Sequence, residues 1–475
     1  MEVNIWWIRR DLRLHDNQAL QAAISSAENV IPLFILDPKL LNSTNVGKKR
    51  LAFLFACLLE MDADLKARGS KLVLRKGNPA DVLRKLCNEF KVKRVFAEGD
   101  YSPYSNNRDE QVAKLVPLEL VPGLSVSDPE SIRKESGEPY RVFTPYMRRW
   151  KSSYLVHTMQ VLPAPGHITT PLDIRSDHIP EMPYSAARLV FEPREESARG
   201  RLQKFTSGLK AGIYTYADLR NRMDVEGTAG VSPYLRFGLL SVRECVQAAQ
   251  QAMVDAPDDS ARAAAEVWLN ELIWREFYLY ILYHFPNVMG DSFREEFRAV
   301  DWNNDLDDYR AWCEGRTGYP IVDAAMRQLL ETGWMHNRGR MIVASFLVKD
   351  LAINWQWGEK FFMQQLIDGD PAANNGGWQW TAGTGTDAAP YFRIFNPVLQ
   401  AKKFDPQGKY IRRWVPELSA VPLKFIHSPW EMPQDVQQQV NCIIGENYPH
   451  PIIDHGFARE RILEIFSKAK NTSGA

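Results

Sequence analysis

Residues 3–17 run Val3-Asn4-Ile5-Trp6-Trp7-Ile8-Arg9-Arg10-Asp11-Leu12-Arg13-Leu14-His15-Asp16-Asn17. The stretch from Val3 to Ile8 is β-branched and aromatic, too short for a helix and followed at once by charge, which reads as a buried strand ending in a polar loop. Asp16-Asn17 then offers an N-cap. The same plan recurs at Val30–Leu36, Lys71–Arg75 and Arg94–Ala97, and Gly77-Asn78-Pro79 turns the third run into a helix over Ala80–Phe90. Strands alternating with helices over residues 1–130 predict an α/β domain with a parallel sheet, Rossmann-like in plan. No Gly-x-Gly-x-x-Gly follows a strand, so a dinucleotide held in the Rossmann manner is not expected, although such sheets bind ligands beyond the carboxyl ends of their strands.

Outward from there the pattern changes twice. Between Leu155 and Gly200 the chain is aperiodic and carries Pro163, Pro165, Pro171, Pro180, Pro183 and Pro193, which predicts a long linker over 131–200 that wraps one domain onto the next. Residues 201–475 are helical in pattern, an all-α domain. Ser241-Val242-Arg243-Glu244 reads as a capping box opening a helix through Met253, Asp259–Tyr283 as one long helix ending before Pro286, and Arg338–Leu351 as another, with a short polar tail after Ile465.

Composition narrows the class. The chain has 475 residues, 45 % hydrophobic and 24 % charged, with 58 basic against 58 acidic side chains, as in a globular enzyme of two or three domains. Zero net charge means that a nucleic-acid partner would need a local basic patch. Five scattered cysteines with no Cys-x-x-Cys pair argue against disulfides and a zinc site, so no metal is expected. The start lacks a signal peptide's pattern and no apolar run suits a membrane, which predicts a cytoplasmic protein.

Three clusters carry candidate chemistry. Trp268, Glu271, Trp274, Arg275 and Tyr278 are spaced to share one face of the long helix. That face is either a half-buried wall of aromatics and an ion pair or a cavity wall that stacks a planar ligand. Asp368-Gly369-Asp370-Pro371-Ala372-Ala373-Asn374-Asn375-Gly376-Gly377-Trp378-Gln379-Trp380 combines an N-cap before proline with amides, a glycine pair suited to close backbone approach, and two tryptophans, suggesting a lined pocket. In Gly333-Trp334-Met335-His336-Asn337-Arg338-Gly339-Arg340-Met341, His336 reads as a capping or packing residue. Late in the chain Arg393, Lys402, Lys403, Lys409, Arg412 and Arg413 interleave with Tyr391, Phe392, Phe395, Phe404 and Tyr410, which suits either a nucleic-acid surface or a solvated face over core aromatics. No nucleophile elbow, Walker loop or His-Glu-x-x-His is present.

Together these stretches, with Trp6–Arg13 at the front and Tyr448–His455 at the back, closely resemble the DNA photolyase and cryptochrome family, and within it the cyclobutane pyrimidine dimer photolyases. The resemblance implies an amino-terminal antenna domain and a helical FAD-binding domain, acting as a monomer on ultraviolet-damaged DNA. Tyr216 and the loop Thr228-Ala229-Gly230-Val231-Ser232 match phosphate and ribityl contacts. Trp268, Arg340, Asp368, Gly369, Asp370 and Asn374 match positions around the flavin, with Asn374 facing N5. Glu271, Trp274, Asn337, Met341 and Trp380 match the dimer pocket, Glu271 bonding a thymine edge. Arg220, Arg275, Tyr278, Arg338 and Gln400 match DNA contacts, while Trp378, Trp355 and Trp312 match an electron-hopping chain from flavin to surface.

Two departures stand out. The family loop usually reads Thr-Ser-Arg-Leu-Ser, so Ala229, Gly230 and Val231 lose a hydroxyl and a guanidinium. Tyr104 and Ser105 stand where folate-binding members carry Asn-Glu, which favours a deazaflavin or second flavin over methenyltetrahydrofolate as antenna. A cryptochrome photoreceptor is the rival reading, opposed by the complete dimer pocket and by a chain ending soon after His455. The histidine pair of (6-4) photolyases is missing around His336, and a DASH-type protein would carry tyrosine in place of Trp380.

Overall fold

The computed structural model describes residues 2–155, 159–185 and 189–472, so the expected linker is described except at 156–158 and 186–188. Contacts divide the chain into two compact units, 1–217 with 228–286, and 218–227 with 287–475.

The first unit is built on a parallel sheet of β1 (Val3–Ile8), β2 (Asn29–Leu36), β3 (Val73–Lys76), β4 (Arg94–Glu98) and β5 (Leu118–Val121), in the order β3-β2-β1-β4-β5. Every residue of β1 and β2 is buried, as a central parallel strand covered on both faces requires. β5 escapes the sequence reading because it is short, unburied and enclosed by Pro117 and Pro122, with Leu120 exposed and Glu119 paired to Arg94 of β4. Asn17 caps the helix Gln18–Ser25 by accepting from the Leu20 N–H.

The segment after residue 158 follows the sheet. Its backbone exchanges bonds with Arg68, Val30 and Leu74, and Ile168 and Ile174 are buried, so the open edge beyond β3 is covered. The helix Phe143–Tyr154 lies within the stretch expected as linker, and the helix Glu195–Thr206 begins inside it. The polar loop after β1 fastens the sheet to the unit's helices: Arg13 pairs with Glu98 at 2.8 Å, Glu195 accepts from the Leu14 and His15 N–H groups, and Asp16 accepts from Ser241 and Arg243. Ser241 caps the helix Val242–Val254, but the reciprocal half of the expected capping box is absent because Glu244 turns to Arg199 at 2.9 Å. The long helix runs Asp259–His284 with Asp258 as its cap.

In the second unit the helix expected over Arg338–Leu351 is α-helical only over Asn337–Ser345 and widens into a π-turn at Phe346–Asp350. Lys349 on that turn is wholly buried. Its Nζ donates to the Ala382 carbonyl at 2.6 Å and lies 3.9 Å from the Phe466 ring centre. Phe466 belongs to the helix His455–Thr472, so the expected polar tail is instead amphipathic, with Ile462, Phe466 and Ala469 closing a core against Phe297, Val300 and Ala352. No helix among the described residues is long and apolar enough to cross a membrane.

Candidate functional site

In the first unit, Trp268 is buried while Glu271, Trp274, Arg275 and Tyr278 are half-buried on one face of the long helix. Trp274 lies flat on Phe143, with ring centres 3.6 Å apart and planes 7° apart, and Arg275 donates to the Leu124 carbonyl at 2.9 Å. Sequence reading missed Glu276 on the flank of the same helix. Its buried carboxylate accepts from the Val126 N–H, the Ser127 N–H (3.2 Å), the Ser127 hydroxyl (2.8 Å) and the Trp150 indole (2.7 Å). Only its departure from the polar face could have flagged it.

Residues 228–232 alternate. Ala229 and Val231 turn inward and are buried, whereas Thr228 and Gly230 are half-buried and Ser232 is exposed. The hydroxyl lost at 229 was therefore lost from the inward side, and both outward hydroxyls remain.

In the second unit Asp370 accepts from the Ala372 and Ala373 N–H groups and so caps the helix Pro371–Ala382, with proline in its first turn. Arg340 reaches the Asp368 carboxylate at 2.8 Å and the Met335 carbonyl at 2.9 Å. His336 is an N-cap, its Nδ1 accepting from the Arg338 N–H at 3.1 Å. Burial, with Arg338 and Arg340 nearby, lowers it to about 4, so it is a neutral ring with its proton on Nε2.

The two adjacent asparagines differ. Asn375 is buried, donating to the Val288 carbonyl and the Glu359 carboxylate, and Gln379 joins it on Val288. Asn374 spends its amide N–H on the Glu359 carbonyl at 3.0 Å, and its Oδ1 accepts no bond among the described residues. Gly377 is exposed with nothing within 4 Å of an added Cβ, so it serves no close approach inside the chain.

Glu359 is the carboxylate that sequence reading missed here, and burial pushes it up to about 7. An unfolded glutamate ionises near 4.5, so the folded state binds the extra proton between the two values and loses stability as pH rises through that window. Glu359→Gln keeps an acceptor for Asn375. Its urea midpoint is expected to match the parent at pH 4 and to exceed it at pH 8 by the equivalent of about 2 kcal/mol; superimposable pH profiles would contradict this.

Trp378 is buried and meets Phe362 at 5.0 Å and Trp312 at 6.1 Å between ring centres. Trp355 is also buried. Trp312, expected on a chain that reaches the surface, has no exposed area, because Phe361, Phe362 and Tyr309 enclose it; half-buried Tyr309 stacks on it at 6.1 Å and 19°.

Arg338 donates to Asn221 Oδ1 at 2.6 Å and its guanidinium lies 4.3 Å from the Phe404 ring centre. Burial, together with the charges of Arg220 and Arg393, lowers it to about 10. Arg220 and Arg393 therefore lie close enough to Arg338 to repel it. Gln400, with a buried Oε1 that accepts no bond among the described residues, lies on the helix Pro397–Phe404 below them in sequence.

Beyond the carboxyl ends of β2, β3 and β4 the first unit also holds a cavity of about 430 Å³ lined by Asp37, Lys39, Asn78, Tyr104, Arg108 and Gln111, among others. Tyr104 donates to the Asp37 carboxylate, and Arg108 sits 5.6 Å from the Tyr104 ring and 4.9 Å from that of Trp7. Ser105, by contrast, is buried and bonded to Ser102.

Residues 4–166 match the DNA photolyase domain family, and residues 268–468 match the FAD binding domain of DNA photolyase. A deoxyribodipyrimidine photo-lyase of Synechococcus is 39 % identical, with 98 % of this chain and 96 % of that protein covered.

The chain belongs to the DNA photolyase family.

Among solved structures of the family, a class III photolyase of Agrobacterium tumefaciens superposes with a TM-score of 0.91 at 35 % identity, covering 99 % of this chain and 98 % of that one. A Synechocystis cryptochrome gives 0.89 at 29 % identity, covering 98 % and 99 %. A Sulfolobus tokodaii photolyase with two FAD molecules gives 0.80 at 31 % identity, covering 98 % and 100 %. The photolyase-family residues fit FAD in each unit taken alone. The first presents outward hydroxyls and a flexible glycine in the 228–232 loop, a donor set for phosphate, and the second presents the Arg340–Asp368 pair and the unspent Asn374 oxygen, suited to the polar edge of a flavin ring.

Proposed function

We propose that this photolyase-family protein repairs cyclobutane pyrimidine dimers in DNA, using light and reduced FAD. One observation carries the reading: Glu271, Trp274, Asn337, Met341 and Trp380, the residues matched to dimer recognition, all keep exposed surface on helices whose other sides are closed. Reduced FAD, when bound, would supply light absorption and one-electron donation. Residues of the chain do the rest. Arg220, Arg338 and Arg393 attract the phosphates around a lesion, whose damaged pair is the easiest to extrude. Trp274, held flat by Phe143, offers its other face to an unstacked base, and Glu271 hydrogen-bonds a thymine edge. Arg340 and Asp368 would hold the polar edge of the flavin ring, and Asn374 would offer it an amide that can donate or accept.

Residues 1–130 serve as the antenna domain in this reading. The cavity beside Tyr104 suits a flat aromatic chromophore, a deazaflavin or a second flavin, stacked near Tyr104 and Arg108. The Sulfolobus relative with two FAD molecules favours such an occupant over a folate. We place the protein in the cytoplasm as a monomer.

The deciding experiment is repair of a thymine-dimer oligonucleotide by prereduced protein under blue light, against a dark control. Light-dependent recovery of thymine is expected. Glu271→Ala should retain FAD and lower repair about tenfold or more, since it removes one charge-assisted bond, worth roughly 1.5–3 kcal/mol. Flavin-loaded protein that repairs nothing in light would instead favour a photoreceptor, the reading to which the Synechocystis cryptochrome lends its similarity.

A further inference from the structure

The phosphate loop lacks its guanidinium at position 230, yet the space beside Gly230 contains one. Gly230 has φ +60°, and a Cβ placed on it would lie 2.8 Å from Nη1 of Arg201, a residue of the helix Glu195–Thr206. Arg201 is exposed, has its charge close to the Tyr234 hydroxyl and lies 5.7 Å from the Phe191 ring centre. No carboxylate among the described residues forms an ion pair with it.

The same helix face carries a second pointer. Phe205, four residues on, packs against Tyr216 (6.0 Å) and Trp268 (5.4 Å), both matched to FAD contacts. One turn of this helix therefore addresses three separate positions of the cofactor site: Arg201 the loop, Phe205 the two aromatics.

We propose that Arg201 is a cofactor-binding residue, supplying across the gap left by Gly230 the positive charge that holds the FAD phosphates. The inference rests on the FAD reading above and adds a residue that the loop's own sequence does not contain. Gly230 is then required for two reasons: its positive φ, and the absence of a side chain in the path of the guanidinium. A planar fork with no competing carboxylate suits a phosphate oxygen pair.

The test compares parent, Arg201→Gln and Arg201→Lys proteins, each stripped of flavin and titrated with FAD and with riboflavin, which lacks phosphate, at low and high salt. Flavin fluorescence reads binding, and circular dichroism verifies the fold. Arg201→Gln is expected to weaken FAD binding about tenfold or more, as loss of one charge-assisted bond implies. It should also flatten the salt dependence and leave riboflavin affinity unchanged, with Arg201→Lys intermediate. Equal FAD affinity in parent and Arg201→Gln would overturn the proposal, as would equal losses for FAD and riboflavin, which would mark a merely structural role. Parent protein that binds no FAD would overturn the cofactor reading itself.

Discussion

Trp378→Phe, purified with oxidised FAD, is expected to abolish light-driven reduction of the flavin while leaving dimer repair intact once the protein is reduced chemically. An indole is readily oxidised, and phenyl is far harder to oxidise. In the structure the ring is enclosed: it touches Phe362 and Trp312, and a Cβ on Gly358 would sit 2.1 Å from its Cη2. Phenylalanine in its place leaves a void and lowers stability by about 2 kcal/mol, short of unfolding. Steady-state spectra under blue light with an external thiol, followed by repair after dithionite, separate the two activities. Normal photoreduction in the variant would remove Trp378 from the relay, and failed repair by the chemically reduced variant would show that the indole serves the lesion site instead.

Glu276→Gln should destabilise the protein by about 3 kcal/mol, read as a fall in the urea midpoint of a probe in the first unit. Burial raises the carboxyl's pKa, and the four donated bonds counter that rise. An amide has one oxygen. Whichever way it turns, its NH₂ faces either the Val126 N–H or the Ser127 and Trp150 donors, placing donor against donor in a buried site. Repair and FAD content per folded molecule should be unchanged, because this side of the helix does not carry the matched site residues. A midpoint within error of the parent would mean that water replaces the lost acceptor.

How far the chain could be read without coordinates depended on whether a signal was local. Val3–Ile8 is buried at every residue and its strand limits were legible to the residue; Asp370-Pro371 and His336 announce caps within two or three positions of the groups they satisfy. β5 was not legible because four residues between prolines, none of them buried, show no period. Glu244 fits a capping-box spacing, yet Arg199, forty-five residues away, claims it. The same holds in the site. The resemblance placed Asn374 and Trp378, but Glu359 became visible only when Asn375 was seen to bond it, and Arg201 only when its guanidinium was found in the space beside Gly230. Trp312 was placed in sequence order, and only the structure shows that it meets Trp378 and has no exposed area.

The interleaving of the two units sets an order for their completion during synthesis. The sheet unit needs residues 228–286, so it cannot close until the chain has grown well past the last strand. The other unit takes an early piece, 218–227, and waits longest: Phe297, Val300 and Ala352 stay uncovered, and Lys349 lacks the ring above it, until Ile462 and Phe466 have left the ribosome. A nascent or truncated chain ending before those residues would carry a finished sheet beside an open, apolar helical half, the form on which chaperones and proteases act.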